Sequence, residues 1–532
     1  MNRRLSVAAL FSFLLAAPIA GCASSPPPSP QTPAVAPPPA PPPPPAAPEA
    51  DESFRKTAPS LGPDVTFVAP SVQEKKLKNG VRILVVERHD LPVVALHLAF
   101  DRGADQDKPG VGGFTGAMLL QGTKKRSALE LSDDLARLGA SANSWVDYDS
   151  AHIALGCLSA KFEGTLALAA DVAMHPAFTK DEIERLRSQR LTAIAQQRDR
   201  PSTVLTNTVE EVLYPAAHPY SVPTLGTADA VKKITAADLV RFHDEAFRPT
   251  HLTIAVAGDV HFDDVVAQVE KAFGSWKGDA PKEKITPVPP APKSDDPRVI
   301  LVDRPGATQS QVSLVLVGPP RSTKDYDALE VLNSIFGGAF SSRLNMNLRE
   351  AHAYTYGAGS HFEFRHGPGP FFAGGAIVRE KTGPAVTEIV KELDRIRTEP
   401  VTDAELVDAK GYIVKSLPGS FETVAGTAGS LARLAIYGLP LDEYATLPAR
   451  IGRVTADDVK RVAATYLLPG YRVVVVGDAK VVQAQLNEVG LGAVSLRAAP
   501  ADDEKKGDDK KGDAKGKAVA PTPAPAPKKD AR

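Results

Sequence analysis

The sequence predicts an α+β fold of two homologous domains, each an antiparallel-rich sheet with helices packed on one face. The first indication is a repeated segment. Thr-Ala-x-Asp, a helix, a proline, a strand and Gly-Asp occur at 235–259 and again at 455–478. The two Gly-Asp pairs stand 477 − 258 = 219 residues apart. The second indication is that strands and helices do not alternate strictly within a half, which favours α+β over a parallel α/β sheet.

The first half begins with two consecutive strands, 81–86 and 93–100, rich in apolar and β-branched residues after an Asn-Gly turn. Apolar residues at helical spacing then predict three helices, over 129–138, 162–173 and 181–197. Thr235 is a typical N-cap and begins a helix that runs to Phe247. A turn at Pro249 and a strand over 252–257 complete this half.

The second half repeats this composition of elements. A strand is predicted over 310–317, and helices are predicted over 325–336 and 383–397. Thr455 then caps a helix to Tyr466, and a strand follows over 472–476.

Proline-rich stretches mark the boundaries between these parts. Fourteen prolines fall within 26–48, a composition typical of a semi-rigid polyproline II tether. Prolines recur through 278–297, and the end of the chain is rich in Lys, Asp, Ala and Pro without apolar periodicity. The predicted parts are a signal peptide (1–21), a tether (22–63), a first domain (64–280), a linker (281–297), a second domain (298–495) and a disordered tail (496–532).

The overall composition excludes several classes of protein. The 532 residues carry a net charge of 62 − 63 = −1, which argues against a nucleic-acid partner. Two cysteines, Cys22 and Cys157, cannot form a disulfide framework or a multi-cysteine zinc site. After the first twenty residues no apolar run reaches 18, so no internal membrane-spanning helix is predicted.

The N-terminus has the pattern of an export signal. Arg3 and Arg4 precede an apolar stretch over 7–17. The segment then ends Ile-Ala-Gly-Cys at Cys22, which resembles the lipobox of bacterial lipoproteins. That resemblance implies acylation of Cys22 and an outer-membrane lipoprotein that faces the periplasm. The alternative is an ordinary secretory signal that contains a cysteine.

The segment 109–125 carries a resemblance to a known family. Gly110-Val111 precedes a helix, and Met118 and Gly122-Thr123 follow it. This frame resembles the first-domain signature of insulinase/pitrilysin-type zinc peptidases, in which H-x-x-E-H lies on that helix. The resemblance extends over about 70–490 and implies that the two domains form half of a clamshell.

The positions that hold zinc in that family carry no donor atom here. The two histidines and the glutamate of the motif correspond to Gly113, Ala117 and Gly116, and the third ligand corresponds to Ala193. Zinc coordination needs lone pairs from these side chains, so no zinc and no peptidase activity are expected of this chain alone. No other histidine pair sits at i, i+4 on a helix; His361 and His366, five apart, are poor candidates for ligands.

The resemblance also implies a set of peptide-binding residues. Residues 143–148 are similar to the active-site edge strand of the family, so Asn143, Ser144 and Trp145 are expected to bind peptide. A packed core aromatic is the alternative for Trp145. The glycine turn Gly337-Gly338 resembles the one that precedes the accessory helix in the non-metal half of the family, and it is expected to lie beside the peptide.

The same half of the family contributes an Arg and a Tyr, seven residues apart, to the active site of the metal-bearing half. Arg349 and Tyr356 have this spacing. The resemblance implies that Arg349 positions the peptide and that Tyr356 donates a hydrogen bond to the developing oxyanion. The alternatives are that Arg349 pairs with Glu350 or another surface carboxylate and that Tyr356 is a half-buried strand residue. Whether Tyr354 or Tyr356 faces the chamber stays open.

These features predict a non-catalytic subunit of a two-subunit zinc peptidase. Zinc is expected in the partner, a homologous subunit with an intact H-x-x-E-H motif, and the substrate is a peptide or unfolded polypeptide added as a strand. The alternative is an envelope scaffold or peptide-binding lipoprotein with no catalytic role. An active peptidase would need a metal site that the sequence does not display.

Overall fold

The computed structural model describes residues 66–278 and 297–498, together with Arg55. The signal peptide with Cys22, nearly all of the tether, most of the linker and most of the C-terminal tail lie outside the described residues. Within the described part, no helix is long and apolar enough to cross a membrane.

The first domain contains eight strands and eight helices among its described residues. Their bounds are β1 Gln73–Lys76, β2 Arg82–Glu87, β3 Val93–Phe100, α1 Val111–Met118, β4 Gly122–Thr123, β5 Arg126–Ser127, α2 Ala128–Leu138, β6 Ser141–Val146, β7 Ala151–Leu158, α3 Phe162–Met174, α4 Lys180–Gln197, α5 Pro201–Leu213, α6 Ala228–Lys233, α7 Ala236–Ala246, β8 Leu252–Gly258 and α8 Phe262–Phe273. The predicted strands and helices of this half are all present, within about two residues at each end.

The second domain contains six strands and eight helices among its described residues. Their bounds are β9 Val299–Asp303, β10 Gln309–Val317, α9 Tyr326–Asn333, α10 Arg343–Asn345, β11 Ala358–Phe362, β12 Pro370–Val378, α11 Thr382–Thr398, α12 Asp403–Ser420, α13 Val424–Ile436, α14 Glu443–Arg453, α15 Ala456–Tyr466, β13 Arg472–Gly477, α16 Ala479–Glu488 and β14 Val494–Arg497. The helix predicted over 325–336 is α9, which ends at Asn333 and continues as a π-helical turn, Ser334–Gly338.

Each domain is built on a six-stranded mixed sheet. The strand order is β1-β2-β8-β3-β7-β6 in the first domain and β11-β12-β10-β13-β9-β14 in the second. Only β2–β8 in the first sheet, and the two pairs made by β9 in the second, are parallel. The sheets are therefore antiparallel-rich, as predicted, and β6 and β11 are edge strands.

The repeated helix start has the same geometry in both domains. The Thr235 side chain accepts a hydrogen bond from the Asp238 amide, and the Asp238 carboxylate accepts one from the Thr235 amide. Thr455 and Asp458 form the same reciprocal capping box at α15. The two boxes therefore begin equivalent helices, α7 and α15, as the repeated sequence segment predicts.

The two domains exchange a helix. Helix α5 of the first domain packs its apolar side, which includes Val209, against the face of the second sheet at Val315 and Val474. Helix α13 of the second domain packs in the same way against the first sheet, where Leu431 joins Ala255 and neighbouring residues. Each sheet therefore has its own helices on one face and a helix of the other domain on the opposite face.

Buried polar contacts join the domains beside these helices. The Asp149 carboxylate accepts hydrogen bonds from the hydroxyls of Tyr220 and Tyr437 and from the amide of His366, at 2.9–3.1 Å. Burial raises the pKa of Asp149. Nearby, the buried Arg365 pairs with Glu210 of the first domain at 3.2 Å. Because buried donors and acceptors are costly to leave unpaired, this cluster holds the domains in one arrangement.

Candidate functional site

Helix α1 carries the positions that would hold a metal, and its neighbours occupy the space that ligand side chains would need. A Cβ placed on Gly113 would lie 2.3 Å from the carbonyl oxygen of Thr224. One placed on Gly116 would lie 2.8 Å from the amide nitrogen of Val146 on β6. Real Cβ atoms do not approach so closely, so histidine or glutamate at these positions requires the backbone to move. The third motif position, Ala117, is half-buried.

A buried arginine crosses from α4 to this helix. The Nη2 atom of Arg190 donates a hydrogen bond to the carbonyl oxygen of Gly113 at 2.7 Å, and Nη1 donates one to Leu225 at 3.1 Å. Its guanidinium carbon lies 5.1 Å from the centre of the Phe114 ring, a cation–π distance. Burial lowers the pKa of Arg190 to about 10. A fixed positive charge thus lies at Gly113, where the family places a zinc ligand.

The predicted third-ligand position, Ala193, lies on α4. Ala193 is exposed, and Ile194 beside it packs against the first-domain core. Two other α4 side chains reach α1: Arg190 bonds to the Gly113 carbonyl, and the guanidinium of Arg187 lies 5.8 Å from the centre of the Phe114 ring. Glycine, alanine and a guanidinium supply no lone pair to a metal, so the residues at the family's site do not fit zinc.

The edge strand β6 lies directly against α1. Asn143 is exposed on this strand, and the Ser144 hydroxyl donates a hydrogen bond to the carbonyl oxygen of Gly116 at 2.7 Å. Trp145 is half-buried and stacks on His152, with ring centres 4.4 Å apart. Trp145 therefore packs against an aromatic neighbour, as the alternative predicts, and it also lines a cavity.

That cavity, of about 480 Å³, opens between the domains beside β6. Trp145, His97 and His152 line it from the first sheet. Charged and aromatic side chains line it from the second domain, namely Arg321, Tyr326, Glu330, Glu363, Arg433 and Tyr437.

Electrostatics on the first-sheet side of the cavity are set by a chain of hydrogen bonds. The Nε2 atom of His97 lies 3.0 Å from Nδ1 of His152, whose Nε2 lies 3.1 Å from Asp147. Burial, reinforced by the charge of His152, lowers the pKa of His97 to about 3. Burial alone would raise the pKa of Asp147. The hydrogen bonds from His152 and Ser150 to its carboxylate outweigh burial, so the pKa of Asp147 is lowered.

The glycine pair of the second domain repeats the packing of α1. A Cβ placed on Gly337 would lie 2.4 Å from the amide of Ser360 on the edge strand β11. Gly337 is buried there, whereas Gly338 is exposed. Both domains thus bring a helix against their edge strand at a glycine, Gly116 in one and Gly337 in the other. Of the two glycines expected to lie beside the peptide, Gly338 is exposed and Gly337 is not.

Arg349 and Tyr356 lie on either side of a sharp change in chain direction. Arg349 belongs to a π-helical turn, Met346–Ala351, of a kind that is frequent at functional sites. Its Nε atom lies 3.3 Å from Glu350, and its guanidinium carbon lies 4.7 Å from the ring centre of the exposed Phe340. Ala353 then adopts a left-handed φ of 52°, a strained conformation for a residue other than glycine.

This turn separates the two tyrosines. Tyr354 packs against the second-domain core, and its carbonyl oxygen accepts a hydrogen bond from Val378. Tyr356 is 91% exposed, immediately before β11. Tyr356, not Tyr354, therefore presents its hydroxyl outward, and it is not the half-buried strand residue of the alternative. The alternative pairing of Arg349 with Glu350 is present in the structure.

The remaining histidine candidates have structural contacts. His361 stacks on Phe372 with ring centres 4.9 Å apart, and burial lowers its pKa. His366 lies within hydrogen-bond distance, 2.8 Å, of the carbonyl oxygen of Ile436 through Nε2. The two side chains therefore contact different neighbours and do not form a ligand pair.

Sequence reasoning missed one group of side chains with metal-ligand chemistry. Glu87, His89 and His261 place one ligand atom each within 4.8 Å of one another. The available signal was a Glu-x-His at the end of one strand and a histidine two residues after the Gly-Asp that ends another.

Comparison with known proteins agrees with the architecture. Residues 82–227 match the model of the insulinase family, peptidase family M16, and residues 233–412 match that of the peptidase M16 inactive domain. An M16 inactive domain from Pseudomonas fluorescens, known from its crystal structure, is similar with a TM-score of 0.69 and 28% identity, over 76% of this chain and 98% of that one. A protease from Helicobacter pylori shares the fold, with a TM-score of 0.69 and 23% identity over 77% of this chain and 100% of that one.

Curated relatives are named as zinc proteases. An uncharacterized zinc protease of Mycobacterium bovis is 28% identical over 374 residues, which is 69% of this chain and 84% of the relative. One from Streptomyces coelicolor is 27% identical over 429 residues, 78% of this chain and 91% of the relative.

Proposed function

The chain belongs to the insulinase family of peptidases, family M16, and from that premise we propose that it is a non-catalytic subunit of a two-subunit zinc peptidase. In this proposal the partner is a homologous subunit with an intact H-x-x-E-H motif, which supplies the zinc and the general base. The present chain closes the chamber, binds peptide and contributes Arg349 and Tyr356 to the partner's active site.

The observation that carries the proposal is the geometry at Gly113 and Gly116. A motif can lose its ligands by drift and still leave an open site, but here the Thr224 carbonyl and the β6 backbone fill the space of the missing side chains. Arg190 adds a buried cation at the same place. The space for ligand side chains is thus filled by backbone, which supports the proposal that this subunit is non-catalytic.

A role in trans is supported by what the second domain leaves on its surface. Tyr356 is 91% exposed and follows a strained Ala353, although an exposed tyrosine in a strained loop contributes little to stability. A phenolic hydroxyl held outward can donate a hydrogen bond to an oxyanion, and hydrogen bonds of this kind account for much of the rate enhancement in acyl-transfer enzymes. Arg349, on the π-helical turn that precedes it in the chain, offers a planar fork of donors for peptide carbonyl or carboxylate groups.

The substrate class follows from the edge strand. A peptide that adds to an unpaired strand gains main-chain hydrogen bonds irrespective of its sequence. Asn143 is exposed on β6, and Trp145 of the same strand lines the cavity. We infer that the substrate is an extended peptide or unfolded polypeptide. In the same proposal, a lipid on Cys22 anchors this chain to the outer membrane of a bacterium.

Reconstitution tests the proposal. Peptide hydrolysis is measured for the full chain alone, for a homologous H-x-x-E-H subunit from the same genome alone, and for the two together. We expect hydrolysis above the sum of the separate rates only in the mixture, together with co-elution of the two chains. Co-elution without a gain in hydrolysis would instead favour the envelope scaffold, and hydrolysis by this chain alone would contradict the proposal.

A further inference from the structure

A cluster of side chains that can bind a metal ion lies far from helix α1. Glu87 ends β2 and His89 follows it, while His261 follows β8 and is the N-cap of α8. Strands β2 and β8 are parallel neighbours, with Glu87 opposite Gly258, so their carboxyl ends bring these residues to one corner of the sheet. Three strands separate β2 from the edge strand β6, a distance of about 19 Å at the usual strand spacing.

The distances from the Glu87 carboxylate to the two histidines match those between ligands of a tetrahedral ion. Two ligands bound to zinc at about 2.0–2.1 Å in tetrahedral geometry lie about 3.3 Å apart. In the structure the Oε2 atom of Glu87 is 3.4 Å from Nε2 of His89 and 3.5 Å from Nδ1 of His261. The two imidazole rings lie side by side, with centres 5.1 Å apart.

The first histidine is oriented by a carboxylate behind it. Nδ1 of His89 lies 2.8 Å from Oδ1 of Asp259, and Oδ2 of Asp259 accepts a hydrogen bond from Ser159. A proton on Nδ1 of His89 leaves Nε2 with its lone pair, and Nε2 is the atom that faces Glu87. Metal-binding histidines usually donate their second nitrogen to a carboxylate in this way.

The carboxylate of Glu87 is held so that one oxygen stays available. Oε1 accepts hydrogen bonds from the Gln73 side chain at 2.7 Å and from the Phe262 amide at 3.1 Å. These two donors fix the carboxylate plane, and Oε2 is directed toward both histidines. The geometry is therefore prepared by Asp259, Ser159 and Gln73, which contact the ligands from outside the cluster.

We propose that Glu87, His89 and His261 form a surface binding site for a divalent transition-metal ion, Zn²⁺, unrelated to the site that the family uses. Two imidazoles and one carboxylate are a zinc donor set, and they leave a fourth position open to solvent. The side chains of His89 and His261 are 48% and 73% exposed, so the ion enters without a conformational change. Among the described residues, no other group of three such side chains meets so closely.

Zinc titration of the untagged, metal-free full chain by calorimetry tests the proposal. We expect one zinc ion per chain and a loss of at least about 100-fold in affinity in either His89→Ala or His261→Ala. Asp259→Asn is expected to lower the affinity by about 10–100-fold, since it disturbs only the orientation of His89. His175→Ala is the matched control: this histidine also lies beside a carboxylate, Asp171, at 3.3 Å, but among the described residues it belongs to no group of three ligand side chains, and its removal should leave binding unchanged.

Cobalt substitution gives an independent readout. Co²⁺ at this site should show visible absorption bands that are lost in His261→Ala. Because His261 is exposed, we expect this variant to keep the fold of the wild type. Failure of the wild type to bind stoichiometric zinc, or binding that survives both histidine substitutions, overturns the proposal. Because the measurement is of metal and not of hydrolysis, its outcome is separate from that of the proposed function.

Discussion

Arg190 and Gly113 are joined by a hydrogen bond of 2.7 Å from the guanidinium to the helix carbonyl. The bond lies at the position where the family has the first histidine of its zinc motif. A buried cation thus lies against the backbone of α1 at a glycine, and the bond joins α4 to α1 inside the first domain.

Introducing a methyl group at Gly113 should destabilise the protein. Gly113→Ala brings a Cβ to 2.3 Å from the Thr224 carbonyl, so we expect the free energy of unfolding to fall by about 1–3 kcal/mol. The control is Gly411→Ala on α12, where a Cβ meets nothing within 4 Å and the helix gains about 0.5–1 kcal/mol. Urea denaturation measures both, and equal effects would show that the space at Gly113 is open.

Removal of the Arg190 side chain should also lower the free energy of unfolding. Arg190→Ala leaves two carbonyl oxygens without this donor and removes packing against Phe114, so we expect a loss of about 2–4 kcal/mol. Arg185→Ala on the exposed side of the same helix should cost less than about 1 kcal/mol. If thermal and urea unfolding do not distinguish the two variants, Arg190 does not stabilise this helix.

The cluster around Asp149 should hold the two domains together. Asp149→Ala leaves the Tyr220 hydroxyl and the His366 amide without this acceptor. The Tyr437 hydroxyl keeps only its bond to the Phe364 carbonyl, and we expect a total loss of about 3–5 kcal/mol. Asp133→Ala, an exposed substitution on α2, should change stability by no more than about 0.5 kcal/mol. If Asp149→Ala unfolds with the midpoint of the control, the domains are held by their exchanged helices alone.

His97 should make stability depend on pH. Its pKa of about 3 in the folded chain lies below the ordinary value of 6.5, so the unfolded chain binds a proton first as the pH falls. Stability that is complete above pH 6.5 is therefore lost toward pH 3, with a slope of about 1.4 kcal/mol per pH unit from this residue.

His97→Gln isolates that contribution. The buried His243, whose pKa is also lowered by burial, is present in both proteins and cancels in the comparison. Unfolding free energies at pH 4, 5, 6 and 7 should fall more steeply for the wild type than for the variant. Parallel curves would mean that His97 takes up its proton in the folded state.

The accessory residues should matter only in the reconstituted pair. Tyr356→Phe removes one oxyanion donor, and we expect kcat/KM of the mixture to fall by about 10²–10³-fold. Arg349→Ala should raise KM, because its role is to position peptide. Tyr354→Phe is the control, since Tyr354 packs against the core and should leave the rate unchanged. Full activity in Tyr356→Phe would remove this residue from the site.

Much of this arrangement could be predicted from the sequence. The duplicated capping boxes at Thr235 and Thr455 depend on residues three apart, and strand β3 and helix α3 follow from local periodicity. Such signals lie within one element. The absence of H-x-x-E-H around Gly113, Gly116 and Ala117 is likewise a property of one short segment, and the loss of zinc there stays a prediction.

The rest depends on contacts between distant segments. Helices α5 and α13 have amphipathic patterns, but nothing in either segment indicates that it covers the sheet of the other domain. The contact between Arg190 and Gly113 joins residues 77 apart, and that between His89 and Asp259 joins residues 170 apart. The π-helical turn that ends α9 packs against β11, and periodicity within either segment does not encode that contact.

Peptide hydrolysis by the full chain alone, supplied with Zn²⁺, tests the central claim most directly. The wild type and His89→Ala are compared, so that zinc at the surface cluster is not mistaken for a catalytic ion. A non-catalytic subunit predicts no hydrolysis above buffer from either protein, whatever their zinc content. Zinc-dependent hydrolysis by either protein would contradict it, and hydrolysis that survives in His89→Ala would place a catalytic metal elsewhere in this chain.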